Sequence, residues 1–185
     1  MSIPKHTTKA ESGILQAIIS LGSNLHSRYG SPVQSLRQAM DRIRQLGSGK
    51  CLVSCLYSTT PVDCPLGTPD FVNAVVVLEV EAGTEPACLL KQLHGIEHDY
   101  GRLRHGAANG SRTLDLDLIA VGGLTSLQPS LILPHPRAHL RRFVLEPLAE
   151  LCPELILPTQ SVTVRELLSS LPDSPWCRKI PADLL

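Results

Sequence analysis

The chain has 185 residues, 17 Lys+Arg against 17 Asp+Glu, and a hydrophobic share of 43%. That share supports a buried core and excludes global disorder. The zero net charge excludes a general binder of nucleic acid or of acidic membranes, since both rely on excess positive charge. The average hides a local imbalance. From Arg102 to Arg142 there are six arginines (102, 104, 112, 137, 141 and 142), no lysine, and two acids, Asp115 and Asp117.

No run of 18 apolar residues occurs, so no transmembrane helix is expected. Residues 1–13 are polar, lack the apolar centre of a signal peptide, and read as a flexible tail. A cytoplasmic chain follows, with its six cysteines as free, buried thiols. Ile14–Leu21 is apolar and β-branched, the pattern of a buried strand, and Gly22-Ser23-Asn24 ends it. Pro32–Leu46 reads as a helix with Val33, Leu36, Met40 and Ile43 on one stripe and Gly47 as its stop. Cys51–Ser58 is a second strand, Thr59–Asp70 a proline-rich loop, and Phe71–Glu81 a third strand. Thr84 is placed to cap a helix from Glu85 to Tyr100, with Gly101 just past its end. Arg102–Ser111 is a loop and Thr113–Val121 a fourth strand. Leu131–Leu133 reads as a short strand, and Arg141–Leu151 and Thr163–Leu171 as helices. The order β-α-β-β-α-β defines an α+β, ferredoxin-like split sheet covered by helices, with C-terminal helical and short-strand additions. Residues 14–185 are expected to form one domain. Such a scaffold serves many functions, so function has to come from the site.

The strongest chemical signal is Arg112-Thr113-Leu114-Asp115-Leu116-Asp117-Leu118. On a strand, residues i and i+2 share a face, so Asp115 and Asp117 point the same way while Leu114, Leu116 and Leu118 point to the core. Neighbouring carboxylates repel and desolvate each other, which makes sense if cations lie between them. Hard oxygen ligands on one face suit Mg²⁺ or Mn²⁺, which bring phosphates as further ligands. The alternative is a solvated strand face with two incidental acids, but strands tend to avoid Asp. Arg102, Arg104 and Arg112 flank the loop leading into this strand, and His135, Arg141 and Arg142 follow it. Guanidinium groups match phosphate oxygens bidentately. Beside two metal-binding carboxylates, they point to a polyphosphate. No Walker A, GxGxxG or GxSxG pattern is present.

These residues carry a resemblance. Arg112-Thr113-Leu114-Asp115-Leu116-Asp117 resembles the signature of the 6-hydroxymethyl-7,8-dihydropterin pyrophosphokinase family. Further segments fit it in order: Ser20–Leu25, Tyr57–Pro61, Phe71–Ala74, Pro134-His135 with Arg141–Phe143, and Pro147-Leu148. The resemblance covers residues 15 to 160. It implies ATP-dependent transfer of pyrophosphate to the pterin hydroxymethyl oxygen, with release of AMP, in folate biosynthesis. It further implies that Asp115 and Asp117 hold two Mg²⁺ ions, with Arg102, Arg112 and Asp117 as catalytic residues. Arg104, Arg112, His135 and Arg141 would contact ATP. Thr60, Val62, Phe71, Asn73 and Phe143 would bind the pterin, the two phenylalanines by stacking and Asn73 by its amide. ATP and the pterin would be the partners of a monomer that binds neither nucleic acid nor membrane. Where some members carry Arg-Trp in the catalytic loop, this chain has Ala108-Asn109. Two other readings of the same residues stay open: another Mg-dependent nucleotide enzyme, such as a nucleotidyltransferase or phosphohydrolase, and a non-catalytic ligand-binding module.

Overall fold

The computed structural model describes residues 13–102, 110–181 and 183. The expected tail up to residue 12, and the expectations placed on Arg104 and Ala108-Asn109, lie outside the described residues.

Five strands run β5(Asp115–Val121)-β1(Ile14–Ser23)-β4(Phe71–Glu81)-β3(Tyr57–Thr59)-β8(Cys177–Lys179), and β2(Cys51–Val53) also pairs with β4. Every pairing in this sheet is antiparallel. The order is that of the split β-α-β-β-α-β sheet expected from the element pattern. β1 is the spine, matched to β4 over ten residues from Ile14↔Glu81 to Ser23↔Val72.

Helices α1(Pro32–Arg44) and α2(Pro86–Asp99) cover one face. Their Leu36, Ile43, Leu89 and Leu93 pack on Ile19, Leu21, Leu114 and Leu116 of the sheet side. Helices α3(Arg142–Leu151) and α4(Val164–Ser170) cover part of the other, with Val144, Leu145, Leu148 and Leu167 against Ile18, Val75 and Val77. Ser31 and Gln34 form a capping box at the start of α1, behind Pro32. The cap assigned to Thr84 falls instead on Glu85, whose side chain makes no capping bond. α2 ends at Asp99, with Gly101 just past its end as expected. There the Arg102 N–H reaches the Glu97 carbonyl (3.2 Å) and the Gly101 N–H reaches that of His98 (2.9 Å), a turn that needs the positive φ of 79°.

Two bulges shape the sheet in ways an alternating pattern does not reveal. The expected strand Cys51–Ser58 is broken. Val53 opposes Val76 but Tyr57 opposes Asn73, so three residues face two on β4. The Ser54 hydroxyl takes over as acceptor for the Val75 N–H (3.0 Å), replacing the missing ladder partner. In β5 the register against β1 slips between Ile18 and Ile19, leaving Ile119 as the extra residue. Three short elements went unpredicted: the Ala138–Leu140 turn of 3₁₀ helix, β8, and β6(Ser126–Gln128), which forms a separate hairpin with β7(Leu131–Leu133).

The six thiols are unpaired, but they are not the buried thiols expected. Cys88 is exposed and the others are half-buried. Burial, with Glu146 nearby and Arg142 opposing, pushes the Cys177 thiol up to about 12. Among the described residues no helix is long and apolar enough to cross a membrane.

Leu116→Ala would empty a fully buried position between the two aspartates. It is expected to cost about 3 kcal/mol in urea unfolding. At pH 8, iodoacetamide is expected to modify Cys88 and leave Cys177 unmodified, as read by mass spectrometry.

Candidate active site

α3 and α4 leave one end of their sheet face bare. There the strand registers set side chains in rows. Asp115 and Asn73 both stand opposite Gly22, and Asp117 stands opposite Ser20. Thr59 stands opposite Phe71 on the neighbouring pair. Glycine at 22 is a requirement of this row, because a Cβ there would lie 2.9 Å from the Asn73 Oδ1. Asn73 is buried and donates its amide to the Thr59 hydroxyl at 2.6 Å.

This bare end is the floor of a cleft of about 730 Å³. The cleft brings together every described residue to which the resemblance gives a role: Arg102, Arg112, Asp115 and Asp117 at one group of walls, His135 and Arg141 at another, and Thr60, Val62, Phe71, Asn73 and Phe143 at the remainder. Arg104 lies outside the described residues. Arg142, in contrast, is turned to structural use, bonded to Glu146 (3.0 Å) and to the carbonyls of Leu171 and Pro172.

The two aspartates sit in different electrostatic surroundings. Asp115 pairs with Arg102 through one oxygen and with Arg112 through the other. Burial alone would raise its proton affinity. The two guanidinium groups outweigh that and hold the carboxyl below its usual range. Among the described residues, Asp117 pairs with Arg141 alone, at 3.6 Å. Burial first, and then the charge of Asp115, push its carboxyl above the usual range despite His135 and Arg141. His135 is held by its own backbone, whose N–H donates to Ile119, the bulged residue of β5, at 2.8 Å. Its Nδ1 accepts the Arg137 backbone N–H at 3.3 Å, which leaves Nε2 as the protonated donor. Burial lowers its proton affinity, against the opposing pull of Asp117, so the ring is kept neutral.

Three residues that build the site were missed. Glu97 lies at a buried position of α2, where the helical stripe would otherwise be apolar. Its carboxylate accepts the Leu116 N–H, between the two aspartates, at 2.8 Å and pairs with Arg102. An acid on that apolar stripe was the available signal. Asn24 ties three loops together. It accepts the Arg112 N–H (2.7 Å) and donates to the Pro69 carbonyl and the Ser111 hydroxyl (both 3.1 Å). Arg137 lines the cleft and was counted among the arginines without a role. The Thr60 hydroxyl is spoken for, since it donates to the Trp176 carbonyl at 3.4 Å.

The donor set suits Mg²⁺. Two carboxylates share one strand face, and among the described residues no group of three metal-ligating acids, histidines or cysteines occurs. A hard cation that takes one or two carboxylates and completes its shell with phosphate and water fits such a site.

Residues 18–153 match the model of the 7,8-dihydro-6-hydroxymethylpterin-pyrophosphokinase family, and the chain belongs to that family. It is 37% identical over 161 residues to a 2-amino-4-hydroxy-6-hydroxymethyldihydropteridine pyrophosphokinase of Haemophilus influenzae, covering 86% of this chain and 95% of the relative. It is 41% identical over 158 residues to the protein of that name in a Synechocystis strain, covering 84% of this chain and 75% of that one. Among solved structures, the wild-type HPPK-DHPS of Plasmodium falciparum shares the fold. The TM-score is 0.63 at 15% identity, over 87% of this chain and 44% of that longer one.

The asymmetry of the aspartates has a measurable consequence. A carboxyl with raised proton affinity in the folded state costs stability once the pH exceeds its unfolded value, and the cost is complete above the folded value. In metal-free protein, Asp117→Asn is therefore expected to raise Tm at pH 7, by about 2–4 °C for each kcal/mol relieved. The gain should vanish at pH 3. Asp115→Asn is expected to lower Tm at pH 7, because it leaves the Arg112 guanidinium without its carboxylate and Arg102 with Glu97 alone.

Proposed function

We propose that the cleft carries out the family's reaction through the residues gathered in it. The chain transfers the pyrophosphoryl group of ATP to the hydroxymethyl oxygen of 6-hydroxymethyl-7,8-dihydropterin and releases AMP, a step of folate biosynthesis. The observation that carries the assignment of roles is the pair Asp115 and Asp117 on one strand face inside an arginine-lined cleft.

In this reading Asp115 and Asp117 hold two Mg²⁺ ions, which when bound would neutralise the triphosphate and polarise the transferring group. Arg102 and Arg112 let go of Asp115 and turn to the pyrophosphoryl group, where their forks match its oxygens. His135 donates from Nε2 to a phosphate oxygen. Arg141 faces the same phosphates, and Arg104 is proposed to join it. Asp117, which lines the cleft beside the transferring group, would accept the hydroxymethyl proton.

The pterin lies at the other end of the cleft. Asn73 reads the ring edge with its amide, and Phe71 and Phe143 stack on its faces. An arginine overhangs each of these rings, Arg112 at 5.9 Å from the Phe71 centroid and Arg141 at 5.3 Å from that of Phe143. The phosphate and ring subsites are therefore adjoining, as transfer from one to the other requires. Thr60 and Val62 close the side wall. The loops Gly22–Ser31 and Thr59–Asp70, tied by Asn24 to each other and to Ser111 and Arg112, would shut out water that would hydrolyse ATP.

We further take residues 14–185 as one domain acting as a cytoplasmic monomer on two small substrates, without nucleic acid or membrane. The unpaired thiols and the zero net charge support this.

The test is an assay of ATP conversion with the hydroxymethyl-dihydropterin and Mg²⁺. AMP is the expected product. ADP or free pyrophosphate would point to a phosphohydrolase or nucleotidyltransferase, and binding without turnover to a ligand-binding module. Asp115→Ala should cost more than the roughly 100-fold typical of losing an outer-shell partner of a metal site. Arg112→Ala should lower kcat by about 10²–10³, as loss of a transition-state donor does. A change confined to KM would limit Arg112 to ground-state binding.

A further inference from the structure

Three of the four arginines that the structure places along the cleft already hold a carboxylate. Arg102 and Arg112 share Asp115, and Arg141 faces Asp117. The fourth, Arg137, lines the same cleft and has no acidic partner among the described residues. Its backbone is pinned. The Arg137 N–H is held by the His135 ring (3.3 Å), the Arg137 carbonyl accepts from Leu140 (3.1 Å), and the Ala138 N–H donates to the His135 carbonyl (3.0 Å). Ala138, next in the chain, is buried against α3 and α4. The residue is thus fixed at its base, solvated at its tip, and uncompensated.

We propose that Arg137 is a further nucleotide-binding residue of this enzyme, its guanidinium taking a phosphate oxygen of ATP. The inference rests on the reading of the cleft as the ATP site and adds a contact to it. An arginine already paired to a carboxylate must release or share that partner before it can serve a phosphate, so it contributes only the difference between two anions. Arg137 gives up only water. Arg137 lines the cleft with His135 and Arg141, and the acid facing that group among the described residues is Asp117, held by Arg141 at 3.6 Å. The Arg137 charge is left over, and a phosphate would supply its anion, with oxygens that the planar fork of Arg137 matches. Because the side chain is exposed, the gain is limited by solvent screening to about fivefold in affinity.

The test uses the full chain with Mg²⁺ and calorimetric titration with α,β-methylene-ATP, whose bridging carbon blocks cleavage at the bond that transfer would break. Adenosine is titrated in parallel. Arg137→Gln is expected to weaken the analogue about fivefold and leave adenosine binding unchanged. In turnover, the KM for ATP should rise by the same factor, with the KM for the pterin and Tm held. Unchanged affinity for the analogue would overturn the proposal, and so would an equal loss for adenosine. Wild-type conversion of ATP to AMP, measured alongside, judges the cleft itself. Its absence would remove the ATP-site reading, whereas an unshifted Arg137→Gln against an active wild type removes only the role of Arg137.

Discussion

Everything in the cleft depends on how one carboxylate is kept charged beside another. Asp115 and Asp117 are two residues apart on one strand, half-sunk in a low-dielectric wall, and like charges so placed disfavour each other. The fold solves this unequally. Among the described residues it gives Asp115 two guanidinium groups and Asp117 a single, longer contact to Arg141. One carboxylate is then firmly ionised, and the other retains a raised affinity for a proton. In the proposed role, a site with one settled and one unsettled anion would receive a cation, and the arginines that it displaced would stand beside the phosphate.

The remaining architecture maintains that arrangement. Arg102 must stay near Asp115 without collapsing wholly onto it, and Glu97 provides a second anchor from the opposite side of β5. A buried carboxylate is costly unless it is paired and hydrogen-bonded, and Glu97 is both. The bulge at Ile119 frees a carbonyl from the ladder, and that carbonyl positions His135. Such an irregularity at a site is a working part of the sheet. Asn24 does for the loops what Glu97 does for the strand, linking segments that enter the cleft from three parts of the chain.

The same features carry a cost in stability. Asp117 is held where its charge is disfavoured, and Gly22 gives up a side chain so that the Asn73 amide can lie across the strand. Two cores on opposite faces of the sheet offset such losses. The larger lies under α1 and α2, away from the cleft, so the catalytic face can remain polar without leaving the sheet unsupported.

The local pattern of the chain determined much of this. Alternation along Leu114–Leu118 assigned the two aspartates to one face, because side-chain direction on a strand is a local property. The order of strands and helices set the sheet topology, since few topologies accommodate that order. Composition located the charge that matters, in a segment the zero total conceals. What only the tertiary structure decided are relations between distant residues. Glu97 and Leu116 meet across α2 and β5, and Asn24 and Arg112 meet 88 residues apart. The C-terminal strand β8 is three residues long and exists through its pairing with β3. The two bulges shift register where the sequence reads as continuous strand, because the compensating partners, the Ser54 hydroxyl and the His135 N–H, are supplied by contacts that form only when the chain has folded. The difference between Asp115 and Asp117 is likewise tertiary. The residues are chemically identical, and which one keeps its proton more tightly is set by the arginines that the fold brings beside each.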